Sequence, residues 1–377
     1  MSLLKILLMI GLTIAVLGCQ KEEEKNNKKY LYVASGACYS GTGNTTYTAT
    51  TASNVIFRLN LETGQYEGRI ADFTTVEDSA GTTPVAVRDY DDEHLMVLIQ
   101  HTTLRRIELI KKQLAGERRS YYTNTSAAAP YGALQTNVSD MVIVDDGLLI
   151  ARTNAIEKLD TGKIRKAGNG TNAWVQGPGG DCSTSTVNMT SVTTIPTTAN
   201  TVGYNILYTH SQNASSATNN RAGIIDGDTG WNGTLGCLDD QSTVAATAYP
   251  TAAVYMSNYN RVVIAYAGTN VTEQNSLYTY AVDTAATSNI LSDAVNSFED
   301  PSTLYGISAM TYDESTGHLY VASGGSVATN LTTGSIPYKI EKFSFDPTTK
   351  KFTRVSTSAF YSGNIESRCI SSMAIGN

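Results

Sequence analysis

The chain is poor in charge. Of its 377 residues only 16% are Asp, Glu, Lys or Arg, and the net charge is -7, so no basic surface of the kind that draws nucleic acid is encoded. Histidine is scarce as well, with four in all; His94 and His318 open two similar segments, which suits a structural role. No GxSxG elbow and no CxxC pair occurs, which removes the usual hydrolytic nucleophile and the usual zinc knuckle. Helical periodicity is rare. Plentiful instead are Gly (31) and Tyr (22), together with Thr, Ser and Asn, residues that make short strands and tight turns. The composition is all-β.

The first residues are an exception. A short positive start ending at Lys5 precedes an apolar stretch, 6–17, that stops at Val16-Leu-Gly-Cys19. About a dozen apolar residues are too few to span a bilayer, which takes ~20. The stretch resembles a bacterial lipoprotein signal with its lipobox. The resemblance implies cleavage before Cys19, removal of residues 1–18, and acylation of Cys19 with two or more chains, enough to hold a protein on a bilayer. Gln20 in place of Asp after the Cys is similar to lipoproteins sent to the outer membrane. Residues 20–29, QKEEEKNNKK, carry no apolar periodicity and read with Cys19 as a charged tether.

From Tyr30 a pattern recurs. A short strand of small and branched residues is followed by a tight turn, a more apolar strand, a loop and a hairpin. The first strands of the copies are 84–87, 140–143, 191–194, 251–254, 307–310 and 370–373, and the apolar second strands begin at residues 30, 94, 148, 204, 261 and 318. Taking Val87, Met141, Val192, Val254, Met310 and Met373 as equivalent gives steps of about 51 to 63 residues. Such a period, with four strands per copy, is the signature of a β-propeller. The last copy lacks its later strands and the head of the domain lacks a first strand, so residues 370–376 and 30–35 should complete one blade. The expected fold is a six-bladed propeller over residues 30–377, built of four-stranded antiparallel blades and closed by the C-terminal strand. A β-sandwich, or two, is the competing arrangement.

Turns between first and second strands are short, for example 145–147 and 257–260. Long segments collect at the opposite end: 36–53, 118–137, 167–189, 211–220, 238–250, 268–275 and 324–336. Long loops in a compact domain usually carry function. Tyr39, Tyr47, Tyr121, Tyr122, Tyr131 and Trp174 fall in these segments, and such rings suit protein or glycan contacts. The termini meet on the plain face, so the tether should leave there and the loop-rich face should look away from the membrane.

Four cysteines remain beside Cys19. Topology pairs Cys38 with Cys369 at one end of the first blade, and Cys182 with Cys237 at the entrance and exit of the fourth, which suits the oxidising compartment implied by the signal. Two acidic runs, Asp226-Gly-Asp228-Thr-Gly230 and Asp89-Tyr-Asp91-Asp92-Glu93, could hold a cation but lack the spaced acid of a calcium loop and suit turns. The whole resembles lipoprotein propellers of the bacterial envelope. Six-bladed lactonases hold a metal with acidic and amide side chains at the inner strand ends. Here those ends carry Pro84, Asp140, Ser191, Thr251, Ile307 and Ile370, a single acid, so no metal or other cofactor is expected. The resulting expectation is a monomeric, non-enzymatic binding module, lipid-anchored through Cys19, that presents its loop face to an envelope protein or polysaccharide. The alternatives are a periplasmic scaffold for outer-membrane protein assembly and a metal-dependent hydrolase with an atypical central site.

Overall fold

A computed structural model describes residues 28–38, 48–49, 54–74, 82–100, 105–124, 138–145, 147–152, 155–160, 172–176, 188–211, 222–228, 237–238, 248–268, 275–300, 303–304, 306–324, 338–363 and 370–377. They form a six-bladed β-propeller. From blade 1 to blade 6 the inner strands are Ile370–Gly376, Thr83–Asp89, Val138–Val144, Asn188–Pro196, Ala248–Met256 and Ile307–Asp313. Each pairs with a second strand: Tyr30–Ser35, His94–Gln100, Gly147–Arg152, Tyr204–Ser211, Arg261–Gly268 and His318–Ser323. A third and an outer strand complete every antiparallel blade.

Closure follows the expected seam. Leu31 lies opposite Ile375 and Tyr32 opposite Ala374 in one antiparallel ladder, and the Tyr32 hydroxyl donates to the Asn377 carbonyl at 3.2 Å. Blade 1 is therefore made by both ends of the chain, and the ladder's backbone hydrogen bonds would be lost together if the ends parted.

The second strands are apolar throughout because each serves two interfaces. Side chains alternate along a strand, so Leu31 and Val33 enter the core shared with blade 6, while Tyr32 and Ala34 enter the core shared with blade 2. Likewise Leu95, Val97 and Ile99 face blade 1, and Met96 and Leu98 face blade 3. Six such cores, one between each pair of neighbouring blades, close the circle. With ~1.5–3 kcal/mol for each fully buried large side chain, these interfaces dominate the stability of the fold.

The third strands carry a feature the sequence did not announce. Glu108, Glu157 and Glu341 occupy matching positions in blades 2, 3 and 6, opposite Val97, Ile150 and Val321, and are at most 5% exposed. Each is met by an arginine: Arg118 at 2.9 Å, Arg152 at 3.8 Å and Arg354 at 2.9 Å. Buried carboxylates without such partners would cost several kcal/mol.

Turns on the plain face are held by short polar side chains, as the Asp and Asn content suggested. Asp91 accepts from the amides of Glu93 (2.8 Å) and His94 (2.6 Å), and Asp346 from that of Thr348 (2.9 Å). Lys28 and Lys29, counted with the tether above, reach this face through ion pairs to Glu67 (2.5 Å) and Asp313 (3.3 Å).

Candidate active site

Every inner strand breaks register with its neighbour at the same height. The ladder skips Ser371, Val85, Ser139, Thr190, Thr251 and Ser308 in blades 1 to 6. A bulge bends and twists a strand locally and re-aims the extra side chain. Five of these six residues bear hydroxyls, and all five line a small cavity of about 50 Å³ on the propeller axis. The next ring along the strands is Ser372, Ala86, Asp140, Ser191, Ala252 and Ala309.

This register corrects the expected repeat alignment. Asp140 and Thr251 do not share a level: Thr251 is a bulge residue one step nearer the loop face, and Ala252 is the counterpart of Asp140. For the same reason Ala253, not Val254, matches Met141 and Met310.

A chain of polar contacts runs from blade to blade around the axis. Arg88 of blade 2 donates to the Ser372 hydroxyl of blade 1 (2.7 Å), to the Val87 carbonyl (2.7 Å), and to Asp140 Oδ1 of blade 3. Asp140 also accepts from its neighbour's amide, Met141 N–H, at 2.8 Å, and through Oδ2 from Val192 N–H of blade 4 at 3.0 Å. Four blades are thus tied by one side-chain pair. Burial pushes the Asp140 carboxyl above the ordinary range, and it outweighs the Arg88 charge and the two amides that oppose it.

The hydroxyls divide into two groups. Thr190 bonds Thr209 (2.7 Å) and the Pro250 carbonyl (2.9 Å), Ser371 bonds the Pro84 carbonyl (3.1 Å), and Ser191 bonds Thr209 (2.8 Å). Thr251 Oγ1 and Ser308 Oγ are buried without a partner. An unpaired buried hydroxyl costs ~1–3 kcal/mol, and these two adjoin the cavity.

Three of the six aromatic residues expected on the loop face lie in outer strands. Tyr121 and Tyr122 lie on the outer strand of blade 2, Arg118–Asn124, and Trp174 on that of blade 3, Asn172–Gln176; residues 118–124 and 172–176 are strands where loops were expected. Tyr39, Tyr47, Tyr131, Cys19, Cys182 and Cys369 fall outside the described residues. Cys38 and Cys237 end or begin short strands, Ala37–Cys38 and Cys237–Leu238.

The acidic runs serve turns. Asp228 accepts from the Thr201 amide and hydroxyl (both 2.8 Å) and the Val202 amide (2.9 Å), and Asp226 from the Asp228 amide (2.9 Å). Nor do the described residues offer the donors of a metal centre at the axis. Among them Asp140 is the one carboxylate lining the loop-side cavity, and no three His, Cys, Asp or Glu side chains gather to share an ion. The side chains described do not fit the metal of six-bladed lactonases.

No family model matches the chain and no curated protein resembles it in sequence. Solved structures do share its shape. A Bacteroides uniformis protein provisionally named a 6-phosphogluconolactonase is 12% identical, with a TM-score of 0.51 over 88% of this chain and 82% of its own. A Bacteroides fragilis protein with the same provisional name is 11% identical, with a TM-score of 0.50 over 95% of this chain and 100% of its own. The periplasmic gluconolactonase of Pseudomonas aeruginosa, 10% identical, overlays less well, at 0.47 over 86% and 82%. At these identities the shared property is the fold. The first two nevertheless overturn the inference from a missing motif to a non-enzymatic binding module, since propellers of this form carry enzyme names, and the residues chosen for a binding face are partly on outer strands.

Proposed function

We propose that the chain is a hydrolase of small lactones or related esters, working at the loop-side mouth of the axial channel with Asp140 as its base. The observation that carries this reading is Asp140 itself, a carboxyl whose burial raises its proton affinity, lining the same cavity as two unpartnered hydroxyls. The provisional lactonase names of the two fold neighbours support the substrate class. A volume of about 50 Å³ holds a nucleophilic water and the reacting carbonyl, not a whole sugar; the rest of the substrate lies outward of it.

The chemistry needs no group beyond those present. Asp140 takes a proton as water oxygen bonds to the carbonyl carbon, and the carbonyl oxygen gains negative charge. The hydroxyls of Thr251 and Ser308, which have no partner in the fold, supply donors for that charge. The ring carbon–oxygen bond then breaks, the leaving oxygen takes up the proton, and a hydroxy acid results. A positioned base of this kind contributes ~10²–10⁴-fold. The leader and Cys19 support delivery to the envelope on a lipid anchor, with the plain face toward the bilayer.

The test is hydrolysis of aldonolactones, phosphorylated and not, followed by proton release against the spontaneous rate. Saturable hydrolysis that falls with Asp140→Asn is expected. Rates equal to the background across the series would refute the proposal.

A further inference from the structure

Arg88 lines a second space. Below the hydroxyl ring, toward the plain face, the channel widens to a chamber of about 320 Å³, the lower end of the size of small-molecule sites. Its wall includes one complete ring of inner-strand residues, Ala374, Arg88, Val142, Thr193, Val254 and Thr311, and Met310 and Met373 reach it from the ring above. The wall is mainly apolar, with Arg88 at its inner end and Asp89, Thr193 and Thr311 among its polar members.

The cation has capacity left. A guanidinium carries five N–H donors, and those of Arg88 meet the Val87 carbonyl, Ser372 and Asp140. The other charge at this level, Asp89, is paired with Lys112 at 2.5 Å and so does not compete for the guanidinium. Two remaining N–H groups match the two oxygens of a carboxylate, the acceptor an arginine fork suits best. A phosphate dianion would place twice the charge in an apolar chamber.

We infer that this chamber binds a small amphipathic monocarboxylate, its acid group on Arg88 and its hydrocarbon body against Val142, Val254, Met310 and Met373. The chamber meets the loop-side cavity at Arg88 and Met310, and the inference does not require the chain to be a hydrolase. The methionines provide the readout, since a thioether adapts to an apolar ligand and reports its arrival.

The experiment is a titration of purified protein carrying ¹³C-methyl methionine with octanoate, and separately with octanamide. Saturable movement of the Met310 and Met373 signals is expected, Met373 lining the chamber although it also packs between blades 1 and 6, with Met96 and Met189, which lie between blades away from the chamber, unmoved. Octanamide, which lacks the charge, should bind at least about tenfold more weakly, and Val254→Trp, which fills the chamber, should weaken octanoate by a similar factor. Still Met310 and Met373 signals up to about 10 mM octanoate, equal binding of octanamide, or equal movement of all four methionines would each overturn the assignment. The wild-type titration decides the matter even if the Trp variant does not fold.

Discussion

Arg88 and Asp140, from the inner strands of neighbouring blades, form an ion pair on the wall of the axial channel, with side chains 23% and 14% exposed. Each is the other's charge partner, and each also fixes a further blade, Arg88 through Ser372 and Asp140 through the Val192 amide. The pair therefore ties four blades together at the axis.

Removing one member leaves the other buried and uncompensated. Arg88→Ala should destabilise the protein by ~3–5 kcal/mol in urea unfolding. The double variant with Asp140→Ala should cost less than the two single changes summed, by ~1 kcal/mol or more, as coupled partners require. Additive losses would mean the pair does not interact in solution.

Ring closure depends on a close approach at the last turn. A Cβ at Gly376 would collide with the carboxylate of Asp89, which Lys112 holds in place. Gly376→Ala is expected to lower stability by ~1–3 kcal/mol through overpacking, and a chain ending at residue 369, without the inner strand of blade 1, should lose its cooperative unfolding transition. A cooperative transition in the shortened chain would remove the seam from the account.

The two kinds of hydroxyl should respond in opposite ways. Thr190→Val breaks two buried hydrogen bonds and should cost ~1–3 kcal/mol. Thr251→Val removes a hydroxyl that has no partner, so stability should hold or rise while kcat/KM for lactone falls. An equal loss of stability in both variants would show that Thr251 is satisfied in solution and has no spare donor for substrate.

Acid sensitivity should be traceable to Asp313. Burial alone would raise its carboxyl, but the Ser315 and Thr316 hydroxyls and the Lys29 ammonium outweigh that and hold it below the ordinary range. A lowered native pKa stabilises the fold above the unfolded value, ~3.9 for Asp, and that contribution disappears as pH falls through the native value. Asp313→Asn should therefore flatten the decline of Tm below about pH 4 while lowering Tm at neutral pH. An unchanged acid slope would count against the assignment.

Much of this architecture was readable in the chain. The six inner strands and the closing seam follow from runs of small and branched residues at a steady interval, because each blade must meet two neighbours and so repeats the same burial. The bulge was not readable: an inserted residue leaves the apolar alternation intact on either side, so Val254 was matched where Ala253 belongs and Thr251 was set level with Asp140. Outer strands such as Arg118–Asn124, RRSYYTN, carry few aliphatic residues and look like loops. Arg88 was missed because it stands beside Asp89 at the mouth of an acidic turn, where a solvated arginine is the ordinary expectation. Only the register of blades 2 and 3 brings it to Asp140. The signal that could have found it is the hydroxyl series Ser139, Thr190, Thr251, Ser308 and Ser371, which marks the axis once the blades are aligned on the bulge.

The most direct test is the pH dependence of lactone hydrolysis in the wild type and in Asp140→Asn. A base with raised proton affinity must lose its carboxylate as pH falls, so kcat/KM should decline through an apparent pKa above the ~3.9 of an ordinary Asp. In the Asn variant the residual rate should be lower by about 10²-fold or more and lack that acid limb. A variant as active as the wild type, with the same acid limb, would contradict the assignment of Asp140.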